Sequence, residues 1–304
     1  MDAYAPLIAA SINAGTPLML AALGLLINEK SGVVNLGAEG MMLVAAVIGF
    51  ATAINTESVA LGFVAGAAAG MLLAGFFALM TVWLGTNQYA TGLALSLFGG
   101  GASAYIGINY VGKSLDNPKF AVPFLSDIPF VGTALFRQHP MVYLSLLLCA
   151  GIIVFLYRTR AGLVLRAVGE SPSSAHALGY SVRRIRLAAL LFGGACCGLA
   201  GAFLSLVYTP LWVEGMVAGR GWIALALTTF ATWRPARVLV GAYLFGGVTI
   251  MTFYAQGLGV SIDSQLLSML PYLATILVLV LISTNANWIK LNMPASLGKN
   301  FNPN

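Results

Sequence analysis

Apolar runs of about 20 residues, each enough to cross a bilayer as a helix, alternate with short polar or glycine-rich connectors along nearly the whole chain. The pattern predicts spans near 6–27, 38–56, 58–83, 88–111, 140–157, 187–208, 219–233, 237–257 and 264–285. No charged residue occurs between Ser58 and Gly112, a stretch long enough for two crossings. Only two polar segments are long: 113–139, mixed in charge and proline-containing, and Arg158–Arg186. The fold class that follows is all-α, a polytopic membrane protein of about 8–10 transmembrane helices making one domain over residues 1–304.

A faint internal repeat runs through this pattern. One span leads into SGVVNLGAEG (Ser31–Gly40) and a fresh apolar run. A later span leads into LWVEGMVAGRG (Leu211–Gly221) and another. The halves, roughly 6–158 and 187–289, would be inverted relative to one another, an arrangement that builds many transporters with the pathway between the halves.

Charge fixes the sides. Six of the fifteen basic residues, Arg158, Arg160, Arg166, Arg183, Arg184 and Arg186, stand in the 158–186 loop against one acid, Glu170. Lys and Arg near span ends resist translocation, so this loop marks the cytoplasmic side. Alternation then puts Glu29–Lys30, Trp233–Arg237 and the Lys290/Lys299 tail inside, with loop 113–139 and the N-terminus outside.

Composition narrows the functional classes. The 304 residues are 59% hydrophobic and 8% charged, with a mean hydropathy of +0.90, whereas soluble domains carry about 25% charged residues. The net charge of +6 comes mainly from the loop and the span flanks. It does not come from a folded basic face with interleaved aromatics, so the expected partner is membrane lipid and no nucleic acid. Cys149, Cys196 and Cys197 lie in apolar runs and read as packing residues. His139 and His176 have no Cys, Asp or Glu at ligand spacing, so neither a metal nor a cofactor is expected in this chain. No G-x-S-x-G elbow occurs, and no catalytic residue is assigned. Gly107–Ser114 (GINYVGKS) fits the P-loop pattern, yet an apolar span precedes it where a phosphate-binding loop needs a buried strand, and it falls outside; coincidence is the better reading. The small-residue stripes Gly62, Gly66, Gly70, Ala74, Ala78 and Gly194, Gly198, Ala202 signal close helix packing.

Two groups of residues could carry function. Glu39 and Arg220 sit in the repeat-related glycine-rich connectors, where a charge normally faces a cavity or a partner. With Asn35, and with Asn87, Gln88, Tyr89 and Thr91 at the entry of the fourth span, they are candidates for a solute pathway. Bonding between helices is the alternative for the polar ones. The second group is in the basic loop. Ser171 suits an N-cap, Pro172 the first helical position and Gly179 a left-handed C′ position. Glu170, Ser171, Pro172, Ser173, Ser174, Ala175, His176, Ala177, Leu178 and Gly179 would then form a short docking helix, set apart by Gly169 and Gly179. Two turns are unstable alone in water and need something to pack on.

The segments SGVVNLGAEGMMLVAA (31–46), TNQYATGLALSL (86–97), LRAVGESPSSAHALGYSVRRIR (165–186) and GMVAGRGWIALALTTFATWRP (215–235) resemble permeases of the branched-chain amino acid and simple-sugar ABC importer superfamily. They are most similar to the subgroup that works with basic-membrane-protein-type binding lipoproteins and takes up nucleosides. The resemblance covers about residues 15 to 285. It implies a multi-pass permease of the bacterial cytoplasmic membrane, moving a nucleoside by alternating access. The implied partners are separate ABC ATPase subunits that hold ATP and magnesium, a second permease subunit (homo- or heterodimeric), and an extracytoplasmic solute-binding protein. It makes Gly169–Gly179 the coupling helix. A simple sugar is the alternative solute, and a stand-alone secondary carrier or channel the alternative class. Relatives in the superfamily commonly hold the N-terminus in the cytoplasm, whereas alternation puts it outside here; the basic loop is the firmer anchor.

Overall fold

The computed structural model describes residues 4–116, 128–257 and 292–302, with isolated residues at 120, 126 and between 266 and 280. Among these, eleven α-helices occur and no strand beyond a single bridge between Ser114 and Leu211. They are α1 (Ala5–Lys30), α2 (Ala38–Thr56), α3 (Val59–Ala78), α4 (Gln88–Gly107), α5 (Val131–Leu135), α6 (Pro140–Arg158), α7 (Arg160–Glu170), α8 (Pro172–Ala177), α9 (Val182–Phe203), α10 (Arg220–Phe230) and α11 (Pro235–Gly257). A π-turn extends α3 to Trp83 and another extends α9 to Tyr208. Seven described helices are long and apolar enough to cross a membrane: α1, α2, extended α3, α4, α6, extended α9 and α11.

One expected span is corrected. The 219–233 run is the 11-residue helix α10, about 16 Å long at 1.5 Å per residue, half of what a crossing needs. Its glycine-rich approach, 211–219, is not helical. Most of the expected span 264–285, Asp263 and most of the outer-loop stretch 117–127 lie outside the described residues.

Burial places α1 at the centre: it is buried from Ala14 to Lys30, with α9, α10, α11 and α6 around it. The two small-residue stripes meet each other, α3 on α9. A Cβ on Gly70 would stand 2.2 Å from the Gly194 carbonyl oxygen, and one on Gly198 would stand 2.3 Å from that of Gly66. Neither position admits a side chain. The three cysteines are free and buried.

Contacts at the two ends sort the connectors into two groups. On one side, Gly169 of α7, Lys30–Gly32, Arg186, Gln88 and residues 292–302 touch one another. Trp233 reaches the same side through Glu29. On the other side, Gln138 of the outer loop bonds Asn13 (2.9 Å) and the Ala9 carbonyl (3.3 Å), and Leu115 donates to Pro210 (2.9 Å). The inside and outside groups reached by alternation are thus the groups found together, and the N-terminal end of α1 packs with the outer loop. The GINYVGKS segment is the end of α4 and a 3₁₀ turn, paired with 210–211 on that outer side.

Candidate functional site: a half-helix junction and a cytoplasmic handle

Residues 31–37 run from the cytoplasmic side into the protein without helical structure, and α2 starts only at Ala38. The depth can be read along α4. Gln88, at its cytoplasmic end, accepts from the Val34 N–H (2.9 Å). Gly99 packs on Gly40, so closely that a Cβ would lie 2.4 Å from the Gly40 Cα. Eleven residues separate Gln88 from Gly99, about 17 Å along a helix. The N-terminus of α2 therefore lies about halfway across a 30 Å hydrocarbon core. From the outer side, 211–219 descends to the same level and α10 starts there, ending near Glu29. The non-helical segments 31–37 and 211–219 enter from opposite faces, and α2 and the half-length α10 meet N-terminus to N-terminus.

Two positive helix ends in contact repel unless something neutralises them. Glu39, in the first turn of α2, does so: its carboxyl accepts from the Gly219 N–H (2.8 Å) and the Gly221 N–H (2.7 Å) at the start of α10. Gly221 has no room for a side chain, because a Cβ would be 2.6 Å from the Glu39 backbone. Gly219 takes φ +80°. Arg220 turns back on its own connector, donating to the carbonyls of Met216 (3.0 Å) and Val217 (3.1 Å) and lying over Tyr208.

The other pathway candidates split between two places. Asn35 joins the junction, where its Oδ1 accepts from the Gly37 N–H (3.0 Å). Asn87, Gln88, Tyr89 and Thr91 lie at the cytoplasmic end of α4. Asn87 caps that helix by accepting from the N–H groups of Tyr89 and Ala90. Thr91 bonds Thr86 (2.9 Å) and Tyr89 is half exposed. Non-helical backbone inside a membrane needs partners, and Asn35, Gln88 and Ser96, which bonds the Leu36 carbonyl (2.8 Å), supply them.

The basic loop folds into α7 and α8. The Ser171 hydroxyl accepts from the Ser174 N–H (3.4 Å), and Pro172 opens α8. The helix closes with paired bonds from Gly179 to the His176 carbonyl (2.8 Å) and from Tyr180 to that of Ala175 (3.1 Å), with Gly179 at φ +87°. That is a Schellman closure, as the Gly179 position demands. Gly169 differs from its expected role as a break: it lies within α7, and its bare Cα lets the Lys30 carbonyl approach. The break is the extended Ser171. Ala175 also faces inward, 3% exposed, in a cluster with Val168, Val182 and Phe301. Ser173, Ser174, His176, Ala177 and Leu178 face out, Leu178 at 78% exposure. Glu170 is exposed and receives the Ala295 N–H (3.4 Å).

Two elements were hidden in the sequence. Residues 292–302 form a strap across this face. The Ser296 N–H and hydroxyl both reach the Gly169 carbonyl, Asn300 bonds Gln88 and the Gly85 carbonyl, and Phe301 stacks edge-on against His176. Arg186 is 2% exposed. It donates to the carbonyls of Ser31 (3.2 Å) and Lys299 (3.1 Å) and to the Ser296 hydroxyl (3.4 Å). One guanidinium thereby joins the connector into α2 to the strap. The apolar pattern starts this span only at 187, beyond Arg186. The helix begins at Val182, which puts Arg186 on the buried stripe of Val182, Leu190 and Cys197.

Spanning helices, two helix starts meeting near mid-membrane and a capped helix on the cytoplasmic face define a multi-pass transport protein of the cytoplasmic membrane. The chain belongs to the family described as "Branched-chain amino acid transport system / permease component", whose model matches residues 7–282. It is 40% identical to TsgC13 of Haloferax volcanii, provisionally named a glucose ABC transporter permease, over 99% of both chains. It is 31% identical to the nucleoside ABC transporter permease NupC of Lactococcus lactis over 88% of both chains. It is 30% identical to the guanosine ABC transporter permease NupQ of Bacillus subtilis over 90% of both. No solved structure matches significantly. The protein is thus an ABC permease subunit of the sugar and nucleoside importer group, a transport component whose family implies ATPase and binding-protein partners.

Proposed function

We propose that this subunit imports a simple sugar by alternating access, with a second permease subunit beside it, two ATPase subunits inside and a solute-binding protein outside. The sugar reading is supported by the 40% relative. A nucleoside is the second reading, supported by two relatives near 30%. ATP and magnesium belong to the ATPase subunits. The observation that carries the proposal is α8: a helix too short to stand alone, anchored from within by Ala175 and presenting Leu178 to whatever lies beyond the cytoplasmic face.

ATP binds closed ATPases better than open ones, and that difference in affinity is what shifts the permease between states. Movement of α8 passes through Val168 and Phe301 to the strap, and through Arg186 and Asn300 to the connector 31–37 and the start of α4. Asn35, Glu39 and Arg220 hold the pivot between α2 and α10, and Asn87, Gln88, Tyr89 and Thr91 line its cytoplasmic exit.

The solute is tested with the full assembly in proteoliposomes. Labelled glucose should accumulate with ATP and be displaced by unlabelled glucose. Accumulation of guanosine that glucose does not displace would establish the nucleoside reading instead.

A further inference from the structure

We propose that the cytoplasmic half of this permease carries a binding slot for one anionic phospholipid. An apolar cavity of about 660 Å³ opens between α6, α7 and α9, over Ile27 of α1. Its walls include Leu148, Ile152 and Phe155 of α6 and Ala189 and Phe192 of α9. Volumes of about 300–1,000 Å³ are those of real ligand sites.

Depth and charge identify the occupant. Along α6 the wall runs from Leu148 to the helix end at Arg158, ten residues and about 15 Å. That is the thickness of one leaflet's hydrocarbon, half of about 30 Å. The rim is basic. Arg158 lies one turn beyond Phe155, Arg160 lies one turn before Val164 on α7, and Arg184 lies one turn before Ala188 on α9. Residues three and four apart share a helix face, so each arginine stands on the stripe that continues a wall. All three are exposed, and among the described residues no carboxylate pairs with them. Between them α7 lies as a short amphipathic helix at the membrane surface, with Leu163 exposed on it. An apolar trough one leaflet deep, open to hydrocarbon and ringed by unpaired arginines, fits an acyl chain below a phosphate headgroup. Basic pockets between spanning helices on the cytoplasmic side bind such headgroups.

The test is native mass spectrometry of the full chain, released from micelles containing equal amounts of phosphatidylglycerol and phosphatidylcholine. The wild type should retain phosphatidylglycerol at least about tenfold over phosphatidylcholine, since three arginines near an anionic headgroup act together. The triple variant Arg158→Gln, Arg160→Gln, Arg184→Gln should lose that preference and still bind phosphatidylcholine. Gly151→Phe fills the slot from a position where a Cβ meets nothing within 4 Å, and it should lose both lipids while melting at the wild-type temperature. An unchanged preference in the triple variant, or unchanged lipid retention in Gly151→Phe, overturns the proposal. So does a disulfide-linked dimer through Gly151→Cys, which would give the trough to a second copy of the chain.

Discussion

The half-helix junction and the α7–α8 handle are both built from glycine and polar residues, and they use them in opposite ways. At the junction every named polar group is engaged within the chain: Glu39 on two N–H groups, Asn35 on one, Arg220 on two carbonyls. At the handle the inner side is engaged and the outer side is not, and an aliphatic side chain points away from the molecule. In the proposed mechanism the difference separates a pivot, which must hold in both states of a transport cycle, from a grip, which exists to be held by something else. Buried charge in a membrane protein therefore need not mark a solute contact.

The largest effect should come from breaking the pivot. Glu39→Ala leaves two N–H groups at a buried helix start without acceptors, at about 1–3 kcal/mol each. We expect a clearly lower melting temperature and loss of folded protein, read by thermal melting in detergent, with Glu39→Gln milder because it keeps one acceptor. Next is the inner side of the handle. Ala175→Asp puts a charge among Val168, Val182 and Phe301, at a cost of several kcal/mol, so it should destabilise the fold. Arg186→Gln should cost less, because a neutral amide can keep part of the three-way contact. Its expected signature is faster proteolysis of the 292–302 strap. Lys113→Ala should be the smallest: it removes a cation–π contact with Tyr110, worth about 0.5–1 kcal/mol at an exposed site, and leaves ATP-driven uptake unchanged.

Much of this was legible in the sequence because the signals are local. Span boundaries, the caps of α8 and the small-residue stripes depend on neighbours within about four positions. Ser171, Gly179 and Gly194 sit where those rules put them. The grouping of connectors at two ends was also legible, since alternation from the basic loop sorts them the same way. The half-helix α10 was not. A hydropathy window joins an 11-residue helix to the apolar residues that follow it and reads a span. Arg186 was not legible either, because its partners are 110 to 155 positions away in sequence. Glu29 was hidden for the same reason: its acceptor role depends on Thr228 and Trp233. The candidate pathway residues are polar groups in glycine-rich connectors and at a span entry, and that property alone cannot separate a solute contact from a backbone partner.

The central claim, that α8 is the grip through which ATPase subunits move this permease, is tested most directly by Leu178→Asp in the assembled transporter. Leu178 is exposed, so the substitution should change stability by no more than about 0.5 kcal/mol. With melting temperature unchanged, ATP-driven uptake into proteoliposomes should fall at least about tenfold, as the loss of about 1.4 kcal/mol of coupling would give. Wild-type uptake by that folded variant would contradict the account.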